Sequence, residues 1–204
     1  MAKQKLFKFN IKNVKFAVRN ELGTYETPQD LAYANSLALE STITEKELFG
    51  DGQVLAVVYS DKGFSGTLSV TNLEDAYEKA CGRLFEVAGG VADIKQTKSV
   101  PHAIYYEVDA IADGERITIK SWLFNCTTGR ASESYQQNQD DITVNYYDYP
   151  LKVLGEVLKD STGTYEYIDD KGNRIYVTRL TAYPDSPGYE TFGDAVPELK
   201  ATES

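Results

Sequence analysis

The residues in this chain whose types suit chemistry are few. There is one histidine, His102, and there are two cysteines, Cys81 and Cys126. A histidine works as acid, base or metal ligand only when a nucleophile, an orienting carboxylate or further ligands stand beside it. His102 follows Pro101 at the start of a strand-like stretch, with no such motif around it. It reads as a structural residue. Cys81 falls on the apolar stripe of a helix-like segment, where a small thiol packs as a hydrophobe. Cys126 stands at a strand end without a CxxC partner, so no zinc pattern is present. The adjacent carboxylates Glu74–Asp75, Asp140–Asp141 and Asp169–Asp170 could divide acid and base roles, as in glycoside hydrolysis. Neighbours on a strand point to opposite faces, however, and the first pair opens a helix, where acids complement the dipole. The run Asp169-Asp170-Lys171-Gly172-Asn173 lacks the spacing and closing glutamate of a calcium loop. No GxSxG elbow, phosphate loop or GxGxxG occurs. The sequon Asn125-Cys126-Thr127 has no secretion signal to give it meaning. The expectation is a non-enzyme with no cofactor and no metal.

The elements that would carry such residues are mostly strands. Phe7, Phe9 and Ile11 alternate, as do Val14, Phe16 and Val18. Residues 36–48 read as a long polar strand, Phe49-Gly50-Asp51-Gly52 as a turn, and Val54–Tyr59 as a strand apolar on both faces. Asp61-Lys62-Gly63 reads as a turn into a strand over 64–70, a meander that makes an antiparallel sheet. One helix is predicted at about 72–82. Leu73, Ala76, Tyr77, Ala80, Cys81 and Leu84 form one stripe of a 3.6-residue period, and these are the candidate helix-packing residues. Thr71 and Glu74 have the spacing of a capping box, and Gly82 can end the helix. Residues 103–112 and 115–126 form a hairpin around Asp113-Gly114, with Ile104, Tyr106, Val108, Ala110 and Ala112 on one face. A strand is expected through Ile142–Tyr147. A second hairpin is expected at 164–169 and 174–180, closing over Asp170–Asn173. The proline- and glycine-rich stretch after Tyr183 reads as a loosely ordered tail.

The chain has 204 residues, a net charge of -10 and no apolar run near the ~18 residues of a membrane span. Its acidity argues against gripping phosphate backbones. Met1–Lys8 carries charge but no apolar core, so it is not expected to be a secretion signal. Two cysteines make no disulfide framework and read as free thiols of a reducing cytoplasm. The 15 tyrosines are many for this length. They fit strand packing, a subunit interface or a sugar-binding platform.

Several segments in order carry a resemblance. They are the polar strand followed by Phe49-Gly50-Asp51-Gly52-Gln53, the strand into Leu73-Glu74-Asp75-Ala76-Tyr77, and the Gly89-Gly90 turn. Pro101-His102-Ala103-Ile104-Tyr105-Tyr106-Glu107, Asp113-Gly114 and Glu133-Ser134-Tyr135-Gln136 follow. Over roughly residues 10–183 the chain resembles the major tail (tail tube) proteins of phages with long non-contractile tails. That resemblance implies a mainly β (α+β) fold, an antiparallel β-sandwich or split barrel with one flanking α-helix. It implies one tail-tube domain over 1–204, with its core at about 10–183, an N-terminal arm at 1–9 and a flexible tail at 184–204. It also implies hexameric rings stacked into a tube that conducts the genome into the host cell. The implied partners are other copies of the chain, the tape measure and the tail terminator, with DNA only as passing cargo. The implied location is the virion, after synthesis in the bacterial host cytoplasm. Glu40, Glu45, Glu47 and Asp51, on or beside the arm strands, are candidate lumen or ring-stacking residues. The alternative is a carbohydrate-binding or adhesion β-sandwich module.

Overall fold

A computed structural model describes residues 6–31, 33–51, 53–135 and 144–201. Among these, the strands are β1 (Leu6–Val18), β2 (Gln29–Asp30), β3 (Ala34–Gly50), β4 (Gln53–Val70), β5 (Leu84–Val87) and β6 (Gly90–Asp93). They continue with β7 (His102–Ala112), β8 (Glu115–Thr128), β9 (Tyr147–Val153), β10 (Glu156–Val157), β11 (Tyr176–Val177) and β12 (Arg179–Ala182). A single short helix, α1 (Asp75–Ala80), lies between β4 and β5. The main sheet runs β2-β1-β7-β8-β9-β4-β3, with β12 added to β8. Its neighbours are antiparallel throughout. The sheet curls until β3 touches β1 from the opposite edge, while the Leu31 N–H, donating to the Val14 carbonyl, extends the β1–β2 pairing toward the start of β3. The fold is therefore mainly β and antiparallel with one short helix, curled as a split barrel.

The curl separates two apolar layers. Val14 and Phe16 of β1, Leu68 and Val70 of β4, Ile104 and Tyr106 of β7, Leu123 of β8 and Leu151 of β9 fill the inside. Ala17, Ala103, Tyr105, Trp122 and Phe124 point outward and are covered by Phe192, Val196 and Leu199. Alternation along β7 and β8 thus serves two cores at once. The phase change in β1, from Phe9/Ile11 to Val14/Phe16, has a backbone cause. Asn10 and Asn13 take φ values of 56° and 49° where the pairing register shifts. Asparagine tolerates this left-handed conformation, and the resulting bulges re-aim the strand.

Opposite Phe9, beside the first of these bulges, Asp109 of β7 is fully buried. It accepts hydrogen bonds from Lys12 at 2.6 Å, Asn10 at 2.9 Å, Arg116 at 2.6 Å and Thr118 at 3.1 Å. These donors, Lys12 foremost, hold its carboxyl well below the usual carboxylate range. One carboxylate so joins β1, β7 and β8.

Several expectations are corrected. The helix occupies Asp75–Ala80 rather than 72–82, and Glu74 at its N-cap makes no side-chain capping bond. Thr71 Oγ1 instead donates to the Tyr33 carbonyl. Asp61-Lys62-Gly63 is not a turn between strands but an irregularity inside β4, which continues from Gln53 to Val70. Of the expected strand at Ile142–Tyr147, residues 142 and 143 lie outside the described residues, as do 136–141 before it; β9 begins at Tyr147 and runs to Val153. The 164–180 hairpin keeps its turn, where the Asp169 carboxylate accepts the Lys171 and Asn173 N–H groups. Its arms carry isolated bridges and the short β11 in place of full strands. Residues 184–201 are docked, not loose. Trp122 Nε1 donates to the Phe192 carbonyl at 2.8 Å, and Lys120 reaches the Tyr189 carbonyl at 2.8 Å. Of the expected N-terminal arm, Leu6–Phe9 already pairs with β7.

Gly63 fixes the point where β4 leaves the body. Pairing of β4 with β9 starts at Phe64↔Val153, and β12 takes over as the neighbour of β8 from Leu123 downward. At this junction Gly63 has φ +86°, and a Cβ on it would lie 2.1 Å from the Val153 carbonyl oxygen. Gly63→Ala should therefore destabilise the protein by more than the ~1–2 kcal/mol of a left-handed alanine alone. Gly172→Ala, at φ +81° in open space, should show only that conformational part. Urea unfolding of both variants checks the ordering; equal losses would remove the steric role of Gly63.

Candidate assembly surface

The residues with chemical potential turn out to build a buried polar core. Tyr77 of α1 is fully buried, and Arg83, just after the helix, is 0% exposed. Arg83 donates from Nε to Glu78 Oε2 at 2.8 Å and from Nη2 to Glu78 Oε1 at 3.0 Å, a bidentate pair. Its Nη1 donates to Thr128 Oγ1 and to the Thr128 and Gly129 carbonyls. The guanidinium packs against the rings of Tyr77 and Tyr149 at 5.2 and 5.1 Å. Burial opposes its charge, but the bonds to Glu78 outweigh that, and its pKa stands above the ordinary arginine value. Tyr149 Oη donates to Glu78 Oε1 at 2.6 Å, and burial followed by this bond raises the phenol's pKa.

His102 closes the same network. Its Nδ1 lies 2.9 Å from the Val100 carbonyl, so Nδ1 carries the proton and Nε2 accepts from Tyr77 Oη at 3.0 Å. Tyr77 Oη then accepts from Thr128 Oγ1 at 2.8 Å. Burial lowers the His102 pKa to about 4, which keeps the ring neutral at pH 7. Among the described residues every buried side-chain nitrogen and oxygen has a partner. The arrangement locks α1 onto β7, β8 and β9. It offers no free nucleophile: Cys81 and Cys126 are both buried thiols whose pKa values burial raises.

The helix-packing candidates are therefore split. Tyr77 and Cys81 are in the core, and Leu73 and Ala80 pack against it partly buried. Ala76 is exposed, and Leu84 is half-buried in β5. Glu78, which the stripe places on the solvent side, is buried because Arg83 draws it inward.

The β3–β4 arm is the other unusual feature. Beyond Gly63 both strands run on with no layer of described residues above or below them. Residues 53–62 are exposed throughout, and so are 43–49. Leu55 is 72% exposed, and Phe49 and Tyr59 are each 66% exposed. The register pairs Glu45 with Tyr59, Glu47 with Val57 and Ile43 with Asp61, so these residues share one face. Lys46↔Val58 and Leu48↔Ala56 occupy the other. The Gly50↔Gln53 pair closes the tip around Asp51, at φ 51°. Of the acidic candidates, Glu45 and Glu47 are thus brought together. Asp51 sits at the tip, and Glu40 lies nearer the body, opposite Ser65. Among the described residues both long edges are open: β3 is the last strand of the sheet, and β4 has no second neighbour before Phe64. A two-stranded ribbon without a third layer is marginal in water. One that carries so many exposed apolar side chains is a candidate docking surface.

No family model and no curated protein matches this sequence. Among solved structures, the chain aligns with one from the cryo-EM structure of the anti-feeding prophage (AFP) baseplate, 6-fold symmetrised. The two share 11% identity over 75% of this chain and 91% of that one, with a TM-score of 0.38. So loose a likeness carries no functional conclusion.

Removing either half of the buried pair should be severe. Glu78→Leu and Arg83→Met should each lose roughly 3–5 kcal/mol, because each leaves the other charge buried and alone. Combining Glu78→Leu with Arg83→Met should lose clearly less than the two single changes added together. Chemical denaturation of the four proteins provides the cycle; simple additivity would mean the two groups do not interact. The histidine gives a pH signature. The unfolded chain binds its proton near pH 6.5, the folded chain only near pH 4, so acid in that window favours unfolding. The wild type should lose about 3 kcal/mol there through this group, and His102→Gln should flatten that limb of the stability–pH curve.

Proposed function

We propose that this chain is a structural subunit of a phage tail tube, whose copies assemble into rings stacked around a genome channel. The observation that carries the proposal is the β3–β4 arm, exposed on both faces and open at both edges. The open edge of β3 in one copy suits the open edge of β4 in the next, the antiparallel relation already used within the arm. Because the two edges differ, the contact is head-to-tail and closes into a ring when the rotation permits. The number six, the tape-measure and terminator partners and the virion location come from the family resemblance of the sequence. In such a ring the arms form one continuous wall. The face bearing Glu45, Glu47 and Asp61 would line the channel, where carboxylates repel phosphates and leave the cargo free to move.

Light scattering and negative-stain microscopy of the purified protein test this reading. Rings or tubes are expected from the wild type, and a folded monomer when residues 43–61 are replaced by a tight turn. A wild-type monomer at high concentration that binds glycans would instead favour the adhesion-module reading. Changing Glu40, Glu45, Glu47 and Asp51 to lysine should leave folding intact, since all four are exposed. Particles carrying that variant should eject DNA more slowly, and most slowly at low salt, where a cationic wall binds phosphates most strongly. Normal ejection at every salt concentration would put these residues outside the channel.

A further inference from the structure

Two apolar patches stand at opposite ends of the β7–β8 ladder. At the His102 and Thr128 end, α1 leads directly through Arg83 into the β5–β6 hairpin. Among the described residues that hairpin pairs with no other strand. Phe85, Val87 and Val91 on it are 62%, 49% and 50% exposed. Lys95 and Lys98 follow it, both exposed. The other end lies about 33 Å away, ten residues along β7 at ~3.3 Å each. There a cleft of about 530 Å³ is lined by Ala112, Ile117, Tyr183 and Pro184 and rimmed by Asp113, Glu115 and Asp185. Phe7 and Ile111, paired across β1 and β7, stand exposed at the same end. Among the described residues, none of Lys95, Lys98, Asp113, Glu115 and Asp185 forms an ion pair within the chain.

We propose that the β5–β6 hairpin of one copy seats in the β7–β8 turn cleft of a second copy. Apolar surface meets apolar surface, and the two lysines meet the three carboxylates. Pairing hairpin with hairpin would instead set Lys95 and Lys98 against their own kind. Because the two patches differ and lie at opposite ends, the contact repeats without closing and adds copies along the strand direction. It is separate from the arm contact, which joins copies side by side. It rests on the self-assembly reading above and assigns that reading its longitudinal interface.

Cysteine cross-linking tests it, since both native cysteines are buried. Val87→Cys and Tyr183→Cys are made singly and together. Under mild oxidation a mixture of the two single variants should give a mixed disulfide dimer, and the double variant a ladder of dimers, trimers and higher species. Lys95→Glu with Lys98→Glu should reduce the ladder at least tenfold. Adding Asp113→Lys and Glu115→Lys should restore it, a rescue that mere misfolding would not show. Cross-linking of Val87→Cys only to itself overturns the proposal. Rings that form by scattering without any mixed disulfide overturn it while leaving the arm reading standing. A monomer without cross-links overturns both.

Discussion

The body of this protein depends on one buried ion pair, Arg83 with Glu78. A six-residue helix has no independent stability, and the exposure of Ala76 leaves it only a narrow apolar contact. What holds it is a guanidinium bonded bidentately to its own helix, packed against two tyrosine rings and tied to Thr128 at the end of β8 and to Gly129 after it. The same cation satisfies Thr128, which satisfies Tyr77, which satisfies His102. The network is costly to desolvate, and its value lies in direction: every polar group in it finds its partners in one placement, so the helix has one seat. Asp109 plays the corresponding part at the other end of the barrel, where a single carboxylate unites three strands.

Local signals made part of this legible in sequence. The Asp113-Gly114 hairpin, the alternation of Ile104, Tyr106 and Val108, and the existence of a helix around Tyr77 all follow from periods and turn chemistry. The remainder depends on partners distant in sequence. Glu78 looks solvent-facing because the helical stripe omits it, and only Arg83, beyond the helix end, explains its burial. Asp61-Lys62-Gly63 has turn composition, but whether such a triplet turns the chain or bends a strand depends on where β9 ends and β12 begins. The docking of residues 184–201 did leave a trace. Tyr105, Trp122 and Phe124 make the second face of the β7–β8 hairpin apolar too, and a strand pair greasy on both faces requires a second cover.

On the proposed reading, stability and assembly are divided between separate parts of the chain. The curled sheet, with its inner core, its outer layer of C-terminal residues and its satisfied polar groups, is complete in itself. The β3–β4 arm and the β5–β6 hairpin lie outside both cores and hold many of the large exposed apolar side chains. Changes to them are predicted to alter association while sparing the fold, and changes at Arg83, Glu78 or Gly63 to do the reverse.

The junction at Gly63 also has a mechanical meaning. The arm meets the body through a bulged pair of strands and not through a packed layer, so stiffness drops abruptly there. In a tube of the proposed kind, that would place compliance between the wall around the bore and the bodies outside it. Bodies on the outer side of a curve could splay while the inner ladder keeps its registry and its diameter. A conduit made this way bends without pinching.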